Sequence, residues 1–158
     1  MSSVFSVVKL KFLHLCSFLL KFIVDKGLGC SVETTIDING LTEKVIGCII
    51  EVHKHLGPGL LESTYEQCLA HELTINSIRF ELQKSMPVMY KGIKLDCGYR
   101  IDMIIENDLI IELKSVEYIT DIHMSQIITY LKLSHKKLGL IVNFNTRLIK
   151  NGIKRVAL

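Results

Sequence analysis

Two carboxylates and an ammonium stand on two short β-rich runs of this chain, Asp102 within residues 98–105 and Glu112 and Lys114 within residues 109–114. Side chains of a strand alternate between faces, so Asp102 shares a face with Ile104, while Ile101, Met103 and Ile105 take the other. On the second run Glu112 and Lys114 share a face, opposite to Ile111 and Leu113. If Glu106, Asn107 and Asp108 form a three-residue loop, Ile105 pairs with Leu109 and Asp102 falls directly across from Glu112, with about 5 Å between Cβ atoms. Like charges so placed destabilise a hairpin unless something positive lies between them. A divalent cation would relieve the repulsion, with Lys114 at the edge of its shell. Carboxylates and a main-chain carbonyl, such as that of Leu113, are the hard oxygen donors that Mg²⁺ prefers. The competing account is an ordinary exposed cross-strand pair; the apolar neighbours Ile104 and Ile110 on that face, together with Lys114, weigh against it.

Further elements must position this hairpin. Thr42 reads as the N-cap of a helix that carries Ile46, Ile49, Ile50 and Val52 and is stopped by Gly57-Pro58-Gly59. A second helix starts near Leu60 and buries Leu61, Tyr65, Cys68, Leu69 and Leu73. Glu62 projects between Leu69 and Leu73, at the edge of the buried face, and Glu66, one turn on, is its rival for a site role. Runs at 78–83, 88–91, 95–105 and 109–114, broken by Pro87, Gly92 and the 106–108 turn, predict an antiparallel meander. A third helix over 119–134 sets Gln126 and Tyr130 together among Ile119, Ile122 and Leu133, either at the site or as a core hydrogen-bonding pair. Residues 138–144, LGLIVNF, read as a strand buried on both sides, and 154–158 as a last short one. His53, His55 and His71 have no metal-ligand spacing and read as structural or exposed.

Charge divides along the chain. Residues 40–121 carry 8 Lys and Arg against 13 Asp and Glu, a net of −5, and residues 122–158 carry 7 basic residues and no carboxylate, a net of +7. An acidic centre for a cation beside a basic segment for an anion suits metal-dependent work on a polyphosphate; the plainer reading is a solvated basic tail. The whole chain, 158 residues at 49% hydrophobic and 22% charged with only 2 Pro, excludes disordered and low-complexity classes. Five cysteines, at 16, 30, 48, 68 and 97, are odd in number and lack any C-x-x-C, so neither a disulfide framework nor a zinc knuckle is indicated, and a reducing, cytoplasmic compartment fits. Residues 4–24 are the most apolar, but their longest lysine-free run is 12–20, short of the roughly 20 residues that a membrane span needs. The expected organisation is an apolar, imperfectly amphipathic extension and linker over 1–39, and one domain over 40–158.

Taken in order, Gly59-Leu-Leu-Glu62-Ser-Thr-Tyr65 reads G-x-x-E-x-x-Y, Asp102 ends Tyr99-Arg100-Ile101-Asp102, Glu112-Leu113-Lys114 reads E-x-K, and Gln126 to Tyr130 reads Q-x-x-x-Y. This series resembles the GxxExxY proteins, a branch of the PD-(D/E)xK nuclease superfamily, over about residues 41–145. The usual Pro before the Asp is absent here, since Ile101 precedes Asp102. The resemblance implies an α/β (α+β) fold with a restriction-endonuclease-like core, a mixed β-sheet with an antiparallel meander flanked by helices. It also implies Mg²⁺- or Mn²⁺-dependent hydrolysis of phosphodiester bonds. On that resemblance Asp102 and Glu112 bind the metal, Lys114 orients or activates the attacking water, Glu62 completes the shell directly or through water, and Gln126 and Tyr130 steady the site or the substrate strand. The implied partner is nucleic acid, DNA ahead of RNA. A homodimer or a partner protein is a further candidate, and a membrane surface for residues 1–26 a remote one. The alternative function is a catalytically silent nucleic-acid-binding or assembly module that keeps the fold.

Overall fold

The computed structural model describes residues 37–158 other than Cys97. The expectations for residues 1–36, and those for Cys16, Cys30 and Cys97, lie outside the described residues. Helix α1 (Ile38–Leu56) starts one residue after Asp37, whose Oδ1 accepts the Asn39 N–H at 3.1 Å. Thr42 is therefore not the cap. It lies a full turn inside the helix, buried, and its hydroxyl donates to the Ile38 carbonyl at 2.6 Å, satisfying itself within the helix. Gly57, at φ +66°, ends the helix as expected.

Helix α2 (Glu62–Ile75) starts two residues later than the apolar periodicity suggests. The buried Tyr65 accounts for the delay: its hydroxyl donates to the Gly57 carbonyl at 2.7 Å and accepts the Leu60 N–H at 3.1 Å. Those bonds hold residues 57–60 as a loop, with Gly59 at φ +102°, and remove them from the helix.

Seven strands follow: β1 (Phe80–Ser85), β2 (Val88–Tyr90), β3 (Ile93–Leu95), β4 (Arg100–Ile105), β5 (Leu109–Lys114), β6 (Leu138–Asn143) and β7 (Ile153–Ala157). The main sheet has the order β1-β4-β5-β6-β7, and every pair is antiparallel except β5 and β6, which are joined by the crossover helix α3 (Asp121–Ser134). The fold is thus α+β with a five-stranded mixed sheet flanked by helices, the restriction-endonuclease-like arrangement.

The meander needs correction in its middle. The run read as one strand over 95–105 is broken between Leu95 and Arg100, where Gly98 turns at φ +71°. β2 and β3 leave the main sheet as a separate hairpin, so β1 pairs directly with β4. β1 also starts at Phe80 rather than Ile78, because the Ile78 N–H is bound by the Leu73 carbonyl at the end of α2. A short helix, α4 (Ile149–Gly152), precedes β7 and has no apolar period that would announce it.

The sheet is covered on both faces. α1 and α2 pack on Met103, Ile105, Ile111, Leu113, Leu140 and Val142. α3 packs its Ile127, Tyr130 and Leu131 on Ile104, Ile110 and Ile141. All six residues of β6 are buried, as a central strand between two layers requires. Cys48 is buried in the first core and Cys68 packs half-buried against it; both are free thiols. No helix among the described residues is long and apolar enough to cross a membrane.

Candidate active site

The β4–β5 hairpin has the expected register, with Ile105 opposite Leu109, Ile104 opposite Ile110 and Met103 opposite Ile111. The turn is made by two left-handed residues, Glu106 and Asn107, and closed by a 2.9 Å bond from Asp108 N–H to the Ile105 carbonyl. Pairing stops at Met103–Ile111, one step before Asp102 and Glu112. There the Asp102 carboxylate takes over from the backbone: its Oδ2 accepts the Leu113 N–H at 2.8 Å. The acidic pair therefore sits where the two strands part.

Glu112 is 1% exposed, a charge in a core. Lys114 Nζ donates to its Oε1 at 2.6 Å, and its Oε2 is buried with no hydrogen-bond partner among the described residues. Burial is the main reason that its carboxyl is pushed up to about 7, and the nearby Asp102 charge pushes the same way, while Lys114 pulls against both. Asp102 is also raised, by burial first, partly offset by the Leu113 N–H and by Lys114. Burial lowers the Lys114 ammonium, but its bond to Glu112 and the surrounding carboxylates more than compensate, so it is held above its usual range.

Glu62, the first residue of α2, reaches the end of β5, where its Oε1 accepts the Ser115 N–H at 2.8 Å. The charges of Glu66 and Glu62 both raise Asp102, that of Glu66 the more, and the charge of Glu62 also raises Glu112 and Lys114. A cleft of about 580 Å³ opens beside it, lined by Gly59, Leu60, Glu62, Ser63, Ser115 and Asn145. Gln126 and Tyr130 do pair, Nε2 to OH at 3.0 Å, and Tyr130 is buried in the α3 core with its hydroxyl raised by burial and by the charges of Glu112 and Asp102. The bond is the one expected of a core hydrogen-bonding pair.

Three residues near the site escaped the sequence reading. Gln83 falls opposite Asp102 in the β1–β4 register, is itself unpaired there with φ +49°, and its Nε2 donates to Glu66. Ser115 binds Glu62 through its N–H and the Leu60 carbonyl through its hydroxyl, at 2.7 Å, tying the end of β5 to the start of α2. Asn143, 2% exposed, binds both the N–H and the carbonyl of Val116. A lone amide at the end of the apolar run LGLIVNF was the available signal for it; Gln83 and Ser115 carry none. His53 takes a structural place, its Nε2 2.8 Å from the Thr146 carbonyl, and His55 and His71 are at the surface.

Among the described residues no three His, Cys, Asp or Glu side chains form a ready cluster for a metal. The donor set still fits a hard cation. Mg²⁺ is commonly held by one or two carboxylates together with water and substrate phosphate, and Glu112 presents a buried oxygen that no other described residue satisfies. A family model described as the PD-(D/E)XK nuclease superfamily matches residues 39–156. No curated protein and no solved structure matches the chain.

Proposed function

Because this chain belongs to the PD-(D/E)XK nuclease superfamily, we propose that it hydrolyses phosphodiester bonds of nucleic acid, DNA ahead of RNA, with Mg²⁺ or Mn²⁺. The G-x-x-E-x-x-Y element supports placing it in the GxxExxY branch. The single observation that carries the reading is the meeting of Asp102, the buried Glu112 and Lys114 at the point where β4 and β5 part.

Members of the superfamily generally use divalent cations, and in this site Asp102 and Glu112 would hold the ion with Glu62 at its edge. A bound cation would neutralise charge on the scissile phosphate and lower the pKa of a bound water. The chain's own groups do the rest. Lys114 Nζ is bonded to Glu112; were that carboxylate to hold a cation, Nζ would be available to orient the attacking water and to face the negative charge that gathers on phosphorus. The Leu113 N–H fixes one oxygen of Asp102 and leaves the other for the ion. Gln126 and Tyr130, bonded to each other on α3, would steady the flank of the site or the substrate strand. The basic segment from Lys132 to Arg155 supplies affinity for the polyanion, which weakens steeply with salt.

The test is a cleavage panel over single- and double-stranded DNA and RNA with Mg²⁺, Mn²⁺ or EDTA. Metal-dependent cleavage is expected, with Asp102→Asn and Lys114→Ala each lowering it by about 10²–10³-fold. Undiminished cleavage in both folded variants would remove the assigned site.

A further inference from the structure

Among the described residues, β2 and β3 are the strands that the main sheet does not use. β1 ends at Ser85 and β4 begins at Arg100; these two residues pair, and the next bond, from Met86 N–H to the Tyr99 carbonyl at 2.8 Å, closes the base of the hairpin. Since β4 runs antiparallel to β5, that base lies at the end of the sheet where β5 reaches Lys114. The hairpin thus springs from the end of the sheet that carries the candidate active site.

Its surface is unusual for an element exposed to water. Tyr90 pairs with Ile93 around a two-residue turn, Lys91-Gly92, with both turn residues at positive φ. Alternation puts Tyr90, Ile93 and Leu95 on one face, at 59%, 62% and 40% exposure. Two strands alone are marginal in water, and an uncovered apolar face on them calls for a partner. Charge says which. Residues 86–100 carry Lys91, Lys94 and Arg100 against Asp96 alone, and the Lys91 ammonium sits 5.4 Å from the centre of the Tyr90 ring. Lys94, paired with Met89, is on the other face. An apolar face with an aromatic ring and a cation at its edge matches unpaired bases joined by phosphates. A regular duplex offers such a face only phosphates and polar groove edges.

We propose that the β2–β3 hairpin is a substrate arm that grips an unpaired nucleic-acid strand, Tyr90 and Ile93 against the bases and Lys91, at the turn beside them, on a phosphate. The inference rests on the nuclease reading for its ligand class and deepens it to substrates with a single-stranded segment.

Binding of the full-length protein in EDTA to a labelled single-stranded oligonucleotide, and to the blunt duplex of the same sequence, tests the arm without any need for cleavage. The wild type should prefer the single strand. Tyr90→Ser with Ile93→Ser should weaken single-strand binding about tenfold while changing duplex binding less than about twofold. Lys91→Gln, at an exposed turn position that leaves the apolar face intact, should lower the slope of log K against log salt by about 0.7. An unchanged strand preference in the first variant, with an unchanged slope in the second, would overturn the arm. So would wild-type dimers in sedimentation that become monomers on Tyr90→Ser with Ile93→Ser, since the face would then belong to a second copy. Cleavage that depends on Asp102 with no role for the arm defeats only the arm; arm-dependent binding with no cleavage under any cation defeats only the nuclease reading.

Discussion

Asp102 replaces a rung of its own β-ladder: its Oδ2 accepts the Leu113 N–H at 2.8 Å one step past the last paired residues, Met103 and Ile111. The same carboxylate therefore has a structural bond and a free oxygen. Asn keeps an acceptor at that place and Ala does not. Asp102→Asn should keep the stability of the metal-free protein within about 1 kcal/mol, while Asp102→Ala, leaving the Leu113 N–H unsatisfied, should cost about 1–3 kcal/mol. Urea unfolding of the two variants checks this, and both should lose Mn²⁺ binding in calorimetry.

Glu112 makes the site pH-dependent. Its folded value of about 7 lies above the ordinary 4.5, so between those values the native state holds more protons than the unfolded chain. Its contribution to stability is accordingly complete at low pH and lost as pH rises from about 4.5 to 7. Without metal, the stability of the wild type relative to Glu112→Gln should fall by about 3 kcal/mol across that window. Cation binding must displace the proton, so Mn²⁺ affinity should rise with pH up to about 7 and release protons below it. Calorimetry in buffers of different ionisation enthalpy reads the release directly, and an equal release in Glu112→Gln would refute the assignment.

Glu62 and Glu66 compete for the acid carried by the helix, and their hydrogen-bond partners differ. Glu62 holds the Ser115 N–H at the end of β5 and raises Asp102, Glu112 and Lys114, whereas Glu66 is bound to Gln83 and weighs more on Asp102. Glu62→Gln should weaken Mn²⁺ binding about tenfold, and Glu66→Gln no more than about threefold. The reverse order would give the role to Glu66 and make Gln83 the residue that positions it.

Tyr65 holds the entry to α2. Its hydroxyl bridges the Gly57 carbonyl and the Leu60 N–H, and its ring stacks on Phe144 with centroids 4.3 Å apart. Tyr65→Phe keeps the stack and orphans both backbone groups, at a cost of about 1–3 kcal/mol in urea unfolding. It should also loosen Glu62 and so raise the cation concentration needed for half-maximal cleavage, an effect that a purely structural tyrosine would lack.

The sequence alone determined the relations that lie close along the chain. A strand's two-residue period and one three-residue turn were enough to set Asp102 across from Glu112 and Lys114 beside it, because alternation is a local property of the backbone. The buried run of β6 and the crossover helix were legible for the same reason. Only the tertiary structure decided that Glu62 meets Ser115, that Gln83 faces Asp102, and that β2 and β3 leave the sheet so that β1 can pair with β4. Those contacts join residues far apart in the chain, and the loop-closing and packing energies that select them leave no periodic trace in the order of the amino acids.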